Sequence, residues 1–176
     1  MRNLKYAILG LLNQKPMSGY DIMKEFETTL SEFWHATHSQ IYPELKKLTE
    51  EGMVEYDVEI VGTTLERKLY TITKAGHEDF MQWMSKEVEA QPTPKDINRL
   101  KVFFSSSFTN KQRKDFFDDL LKMHQDRLEH LVNNGKKFDK VPKKDSPEFG
   151  DYLLLMGAVM REENTCEWIK RCMEIL

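Results

Sequence analysis

Cysteine, proline and glycine are scarce in this chain: two, six and eight among 176 residues. Both cysteines, Cys166 and Cys172, fall in the last helical pattern. Six residues along one helix rise by about 9 Å, too far for a bridge within that helix. Reduced thiols in the cytoplasm are the simplest reading. The few glycines never gather into a phosphate-cradling loop, and no nucleophile elbow or paired carboxylates stand out, so no enzyme and no cofactor is expected. Long apolar runs are also missing. Ala7 to Leu12 is too short to span a membrane and, flanked by Lys5 and Lys15 without a small-residue cleavage site, does not read as a signal peptide. Positive charge is in deficit, with a net charge of −3. Residues 1–91 hold ten basic and fifteen acidic side chains, a net of −5, whereas residues 92–176 hold sixteen and fourteen, a net of +2. Nucleic-acid binders are often basic, so any DNA contact in the first half must rest on a local patch.

What is present is amphipathic. Hydrophobic content is 40% and charged content 31%, the balance of a soluble globular chain. Leu4, Ile8, Leu11 and Leu12 share one face of a first helix, which Pro16 ends. Ser18 opens "SGYD", much like a capping box, before a second helix carrying Ile22, Met23 and Phe26. Ile41, Leu45 and Leu48 mark a third helix. With Ser39 as its cap, Pro43 falls in about the first turn, where a missing N–H costs little, and Gly52 ends the run. The period then becomes two: Val54, Tyr56, Val58 and Ile60 alternate with Glu55, Asp57 and Glu59. After the turn "VGTT" the strand returns with Lys68, Tyr70 and Ile72 on one face. Thr73 caps a fourth helix bearing Phe80, Trp83, Met84 and Val88. Pro92 and Pro94 then punctuate "EAQPTPKD", which divides residues 1–91 from 92–176. Three more helical patterns follow: one through Ile97 to Ser107, one opened by the capping box "TNKQ", and one opened by "SPE". The last can run to the C-terminus over roughly 45 Å.

The order ααα-ββ-α is that of a winged helix-turn-helix, so the fold class is mostly α with a small β-hairpin and a helical C-terminal domain. In such a domain the third helix enters a DNA major groove and the hairpin lies along the backbone. On a helical wheel Ser39, Pro43, Lys46 and Lys47 lie opposite the core side of the third helix, flanked by Gln40 and Tyr42. Ser, Gln and Tyr suit base edges and phosphates, and lysine suits phosphates. Arg67 and Lys68 on the returning strand, with Thr63 and Thr64 at the tip, supply the local patch. Glu44 and Glu50 share parts of the same helix face, as they would on an ordinary solvated helix.

Three stretches, "LGLLNQKPMSGYDI", "SQIYPELKKLTEEGMV" and "RKLYTITKAG", together resemble the PadR family of transcriptional regulators. The resemblance covers roughly residues 4–76. It includes the Gly19–Tyr20 pair that opens the second helix, the Ile41-Tyr42-Pro43 triplet and the Thr73–Gly76 cap. It implies a homodimeric repressor on a palindromic double-stranded operator, with Tyr20 among the DNA contacts. It also implies a helical C-terminal domain that pairs two protomers and a small, often aromatic effector. The acidic outgoing strand and short tip depart from the basic, Gly/Pro-rich wings of that family. A winged-helix protein–protein adaptor that avoids DNA is the competing reading, and a thiol-based redox switch a third.

In the C-terminal half Phe117, Leu121, His124, Leu128 and Leu131 alternate in steps of four and three, as in a coiled-coil seam. They are expected to form the dimer interface together with Met156. His124 is the polar residue there. It either fixes helix register or lines an effector cavity. If an effector site exists, Trp83, Phe103, Phe104 and Tyr152 are its expected walls, with His124 or Arg161 as polar anchor. The competing reading is that these aromatics fill the core. His35 and His38 stand three apart, without a further ligand nearby, and read as loop residues instead of a metal pair. Lys170, one turn from Cys166, is placed where it could lower that thiol's pKa, but a packed helix thiol is the favoured reading over a redox sensor.

Overall fold

The structure is a computed structural model and describes residues 2–61, 65–88, 90 and 93–176. The chain forms two compact units, Met1–Ala90 and Gln91–Leu176.

In the first unit α1 (Asn3–Gln14), α2 (Gly19–Glu27) and α3 (His38–Glu50) precede β2 (Val54–Val61), β3 (Leu65–Ile72) and α4 (Lys74–Met84). A strand absent from the sequence reading, β1 (Met17–Ser18), sits between α1 and α2 and makes the hairpin a three-stranded antiparallel sheet in the order β1-β3-β2. Two residues are too few to show a period. Their signal is that Met17 and Ser18 pair with Tyr70 and Leu69. The hairpin register sets Tyr56 opposite Tyr70, Val58 opposite Lys68 and Ile60 opposite Glu66. These six share one face, as the alternation requires.

The core gathers Ile8, Leu9, Leu12, Ile22, Phe26, Ile41, Leu45, Leu48 and Val54. The three apolar residues of α3 are fully buried, each stabilising the domain by about 1.5–3 kcal/mol relative to exposure. Helix α2 starts on a complete capping box: Ser18 Oγ accepts from the Asp21 amide at 3.1 Å, and Asp21 accepts from the Ser18 amide at 3.0 Å. Helix α3 ends in a Schellman turn. The Met53 amide donates to Leu48 O at 2.9 Å and Gly52 adopts φ +67°. Thr73 Oγ1 then donates to Gly52 O at 2.8 Å and accepts from the Gly76 amide at 3.1 Å, tying the start of α4 to this turn.

Two boundaries differ from the sequence reading. Thr37, not Ser39, caps α3: the Gln40 side chain accepts from the Thr37 amide at 3.0 Å. Pro43 therefore lies in the second turn, where it removes the amide that would bond to Ser39 O. Helix α4 ends at Met84, so Val88 lies beyond it and is exposed.

The second unit holds α5 (Ile97–Phe103), a 3-10 turn at Ser105–Ser107, α6 (Asn110–Gly135) and α7 (Pro147–Glu174). Helices α6 and α7 run antiparallel, with Phe117 beside Ile169, His124 beside Glu162 and Lys137 beside Asp151. Thr109 and Gln112 close the capping box of α6, and Pro147 opens α7 as its first helical residue.

Candidate nucleic-acid interface

Buried Ile41, Leu45 and Leu48 turn the other side of α3 outward, and Ser39, Gln40, Pro43, Lys46 and Lys47 are all exposed on it. Between this side, the start of α2 and the hairpin lies a cleft of about 640 Å³. Tyr20, Tyr42, Tyr56 and Tyr70 line it with Lys46, Arg67 and Lys68. Tyr56 and Tyr70, which the sequence reading left out, are a cross-strand pair with ring centroids 5.5 Å apart. Their places on the alternating face were the available signal. Burial raises the Tyr70 hydroxyl above its ordinary pKa, so it stays a neutral donor.

Tyr42 is held on two sides. Its ring lies 4.3 Å from that of His38, and its edge meets the backbone of Gly19 so closely that a Cβ there would stand 2.9 Å from Cε1. Gly19 is thus a spacer for an aromatic side chain on the outward side of α3. The cations of the face have partners of their own. Lys46 Nζ lies 3.8 Å from Glu50, and Lys68 Nζ stands 4.1 Å from the centre of the Tyr56 ring. Arg67 donates to Glu59 at 3.1 Å and reaches Asp21 at 3.9 Å. Glu44, which the wheel set on part of this face, turns away to accept from Arg2 at 2.7 Å. Gln40 Oε1 is occupied by the cap of Thr37. Thr63 and Thr64 lie outside the described residues.

Neutral hydroxyls, exposed lysines and a groove between helix and hairpin are the means by which a protein tracks a phosphate backbone while a helix probes the bases. A family model for the transcriptional regulator PadR-like family matches residues 8–82. The negative transcriptional regulator PadR of Bacillus subtilis is 41% identical, the alignment covering 100% of this chain and 98% of that protein. The chain belongs to the PadR-like family of transcriptional regulators. Its fold matches the crystal structure of Bacillus subtilis PadR in complex with operator DNA at a TM-score of 0.92, with 41% identity and 99% of each chain covered. It also matches the crystal structure of the same protein in complex with p-coumaric acid at 0.88, with 39% identity and 99% and 98% covered. A second family model, virulence activator alpha C-terminal, matches residues 94–176 of this PadR-like chain. No described helix is long and apolar enough to cross a membrane.

In the helical unit the residues of the expected seam pack within the chain. Phe117 and Leu131 are buried, Leu121 and Leu128 half-buried, and Met156 exposed. His124 Nδ1 lies 2.6 Å from Glu162, which also accepts from Arg127 at 3.0 Å. His124 thus bonds between α6 and α7 of one chain. Of the expected effector walls, Phe103 and Phe104 stand edge to face at 5.0 Å, and Tyr152 packs edge-on against Phe138 at 5.5 Å. Trp83 belongs to the first unit, stacked on Tyr6 with centroids 4.7 Å apart. Arg161 is exposed on α7. An open cleft of about 480 Å³ gathers Phe103 with Arg99, Val102 and Trp168. Arg99 and Trp168 belong to no sequence pattern that marks them. Burial, with Glu162 second, raises the Cys166 thiol above its ordinary pKa and outweighs Lys170, as suits a packed helix thiol.

Proposed function

We propose that the chain is a repressor whose homodimer binds a palindromic double-stranded operator and lets it go when a small aromatic acid binds. Residues 1–91 read the DNA, with α3 in the major groove and the hairpin along the backbone, while residues 92–176 pair the protomers. The observation that carries this reading is the full-length likeness to a regulator solved both with operator DNA and with p-coumaric acid. The α3 triplet Ile41-Tyr42-Pro43 and the spacer Gly19 support it, because they build a docking face on this chain's own residues. Dimerisation is supported by the apolar side chains that one chain leaves uncovered: Ile97, Leu100 and Phe103 on α5, Phe104 just beyond it, and Leu153, Leu154, Met156 and Met160 on α7. A two-fold dimer reads a two-fold operator. The protein is a binding module with no catalytic chemistry of its own, at work in the cytoplasm beside the DNA.

The effector is an aromatic acid of the p-coumarate class. It works only by binding the released state more tightly than the operator-bound state. The test is fluorescence anisotropy with the DNA upstream of the protein's own gene and a scrambled duplex of equal length. Specific binding that falls steeply with KCl, together with release by p-coumaric acid, supports the reading. Equal affinity for both duplexes would leave a protein–protein adaptor as the better description.

A further inference from the structure

The acidic outgoing strand is the feature of the hairpin that a DNA-docking role leaves unexplained. Glu55, Asp57 and Glu59 alternate along β2, and Glu59 stands directly opposite Arg67 on β3. Arg67 is the arginine that lines the cleft beside α3, and two acids from two different elements hold it. Glu59 on β2 accepts from Nη2 at 3.1 Å, and Asp21 on α2 lies 3.9 Å from Nη1. Asp21 is itself fixed, accepting from Ser18 Oγ at 2.6 Å and from the Ser18 amide at 3.0 Å. All three side chains remain between 41% and 43% exposed, so DNA can reach them.

Two carboxylate oxygens from separate carboxylates, set before one guanidinium, imitate what a phosphate would offer it. We propose that Glu59 and Asp21 act as an intramolecular substitute for DNA phosphate, occupying Arg67 and so limiting the affinity of this face for any duplex. The inference rests on the DNA-binding reading above. A phosphate that recruits Arg67 must displace Glu59, and the freed carboxylate then stands beside the backbone. Both effects oppose binding. Their consequence is greatest on non-operator DNA, where phosphate contacts supply nearly all the affinity. With its cations tied to its own acids, an acidic protein stays off bulk DNA until base contacts and the second protomer add to the binding. Glu59 is therefore a positioning residue, acting on DNA through Arg67.

The experiment is a double-mutant cycle on the full chain with Glu59→Gln, Arg67→Ala and the pair, and with Glu55→Gln as a charge control on the same strand. Anisotropy is read on upstream and scrambled duplexes across a KCl series. Glu59→Gln should tighten binding to both by roughly two- to five-fold, the span of an exposed ion pair. It should also steepen the log–log salt slope by up to about one phosphate equivalent. In the Arg67→Ala background the gain should vanish, leaving no more than Glu55→Gln produces. Unchanged or weaker binding by Glu59→Gln overturns the inference. So does an equal gain with and without Arg67, because the acid would then act as bulk charge. If the unmutated protein fails to prefer the upstream duplex, the regulator reading falls, while the cycle on the scrambled duplex still decides the role of Glu59.

Discussion

Gly19 and Tyr42 meet so closely that a Cβ on the glycine would stand 2.9 Å from ring carbon Cε1. The glycine is needed for space, since only Gly52 among the described residues has positive φ. The atoms in the way are the far edge of a side chain, which can swing aside. Gly19→Ala should therefore cost ~1 kcal/mol of stability. It should cost more in DNA binding if the displaced ring, exposed on α3, is the DNA contact proposed above. A loss of ~1–2 kcal/mol in operator affinity with a melting temperature near that of the unmutated chain is expected. An unchanged operator affinity would mean that Tyr42 does not touch DNA.

Gly76→Ala should behave in the opposite way. A Cβ there would lie 2.0 Å from the backbone oxygen of Met53, which the Schellman turn and Thr73 hold in place. Backbone fixed at both ends cannot give, so a loss of about 3 kcal/mol is expected from urea unfolding. Operator binding should fall only in proportion to the unfolded fraction. Normal stability would show that the turn between α3 and β2 shifts more freely than its hydrogen bonds imply.

How much of this could be read in the residues depended on period. Ile41, Leu45 and Leu48 recur at helical spacing, and the structure buries all three. Tyr56, Val58 and Ile60 alternate, and the register keeps them on one face. Capping boxes at Ser18 and Thr109 were legible because they are local, with both partners within three residues. What could not be read was set by tertiary contact. Met17–Ser18 is a strand only because β3 runs beside it. Whether Lys170 or packing governs Cys166 could not be settled from sequence, which shows neighbours along a helix and not the burial that raises this thiol. Thr37 displaced Ser39 as cap since both have side chains able to cap, and the residue three positions on decided between them.

On α3, Lys46 and Gln40 should separate two kinds of contact. Lys46 is exposed and only loosely paired, at 3.8 Å from Glu50. Lys46→Ala should weaken binding to operator and scrambled duplex alike and lower the salt slope by about 0.9 if it neutralises one phosphate. Gln40 also caps α3 through the Thr37 amide. Gln40→Ala should therefore both relax base preference and cost about 0.5–1 kcal/mol of stability. Gln40→Glu keeps the cap acceptor, so it should restore stability while leaving base preference altered. If both variants keep the original preference, Gln40 serves the cap alone.

Cys166 offers a test through pH. Its thiol is raised above the ordinary value of 9.0, chiefly by burial in α7 and next by Glu162. The unfolded chain therefore ionises this thiol at a lower pH than the folded protein does. The stability it contributes is fully present below the unfolded pKa and is lost as pH rises through the folded one. Cys166→Ala lacks this group, so its deficit in melting temperature against the unmutated protein should be largest near neutrality and shrink in alkaline buffer. At neutral pH the buried thiol should react with a disulfide reagent more slowly than Cys172, which is only half-buried. Mild peroxide should then leave operator affinity unchanged. Rapid labelling of Cys166 with simultaneous loss of DNA would instead make the chain a thiol-responsive regulator.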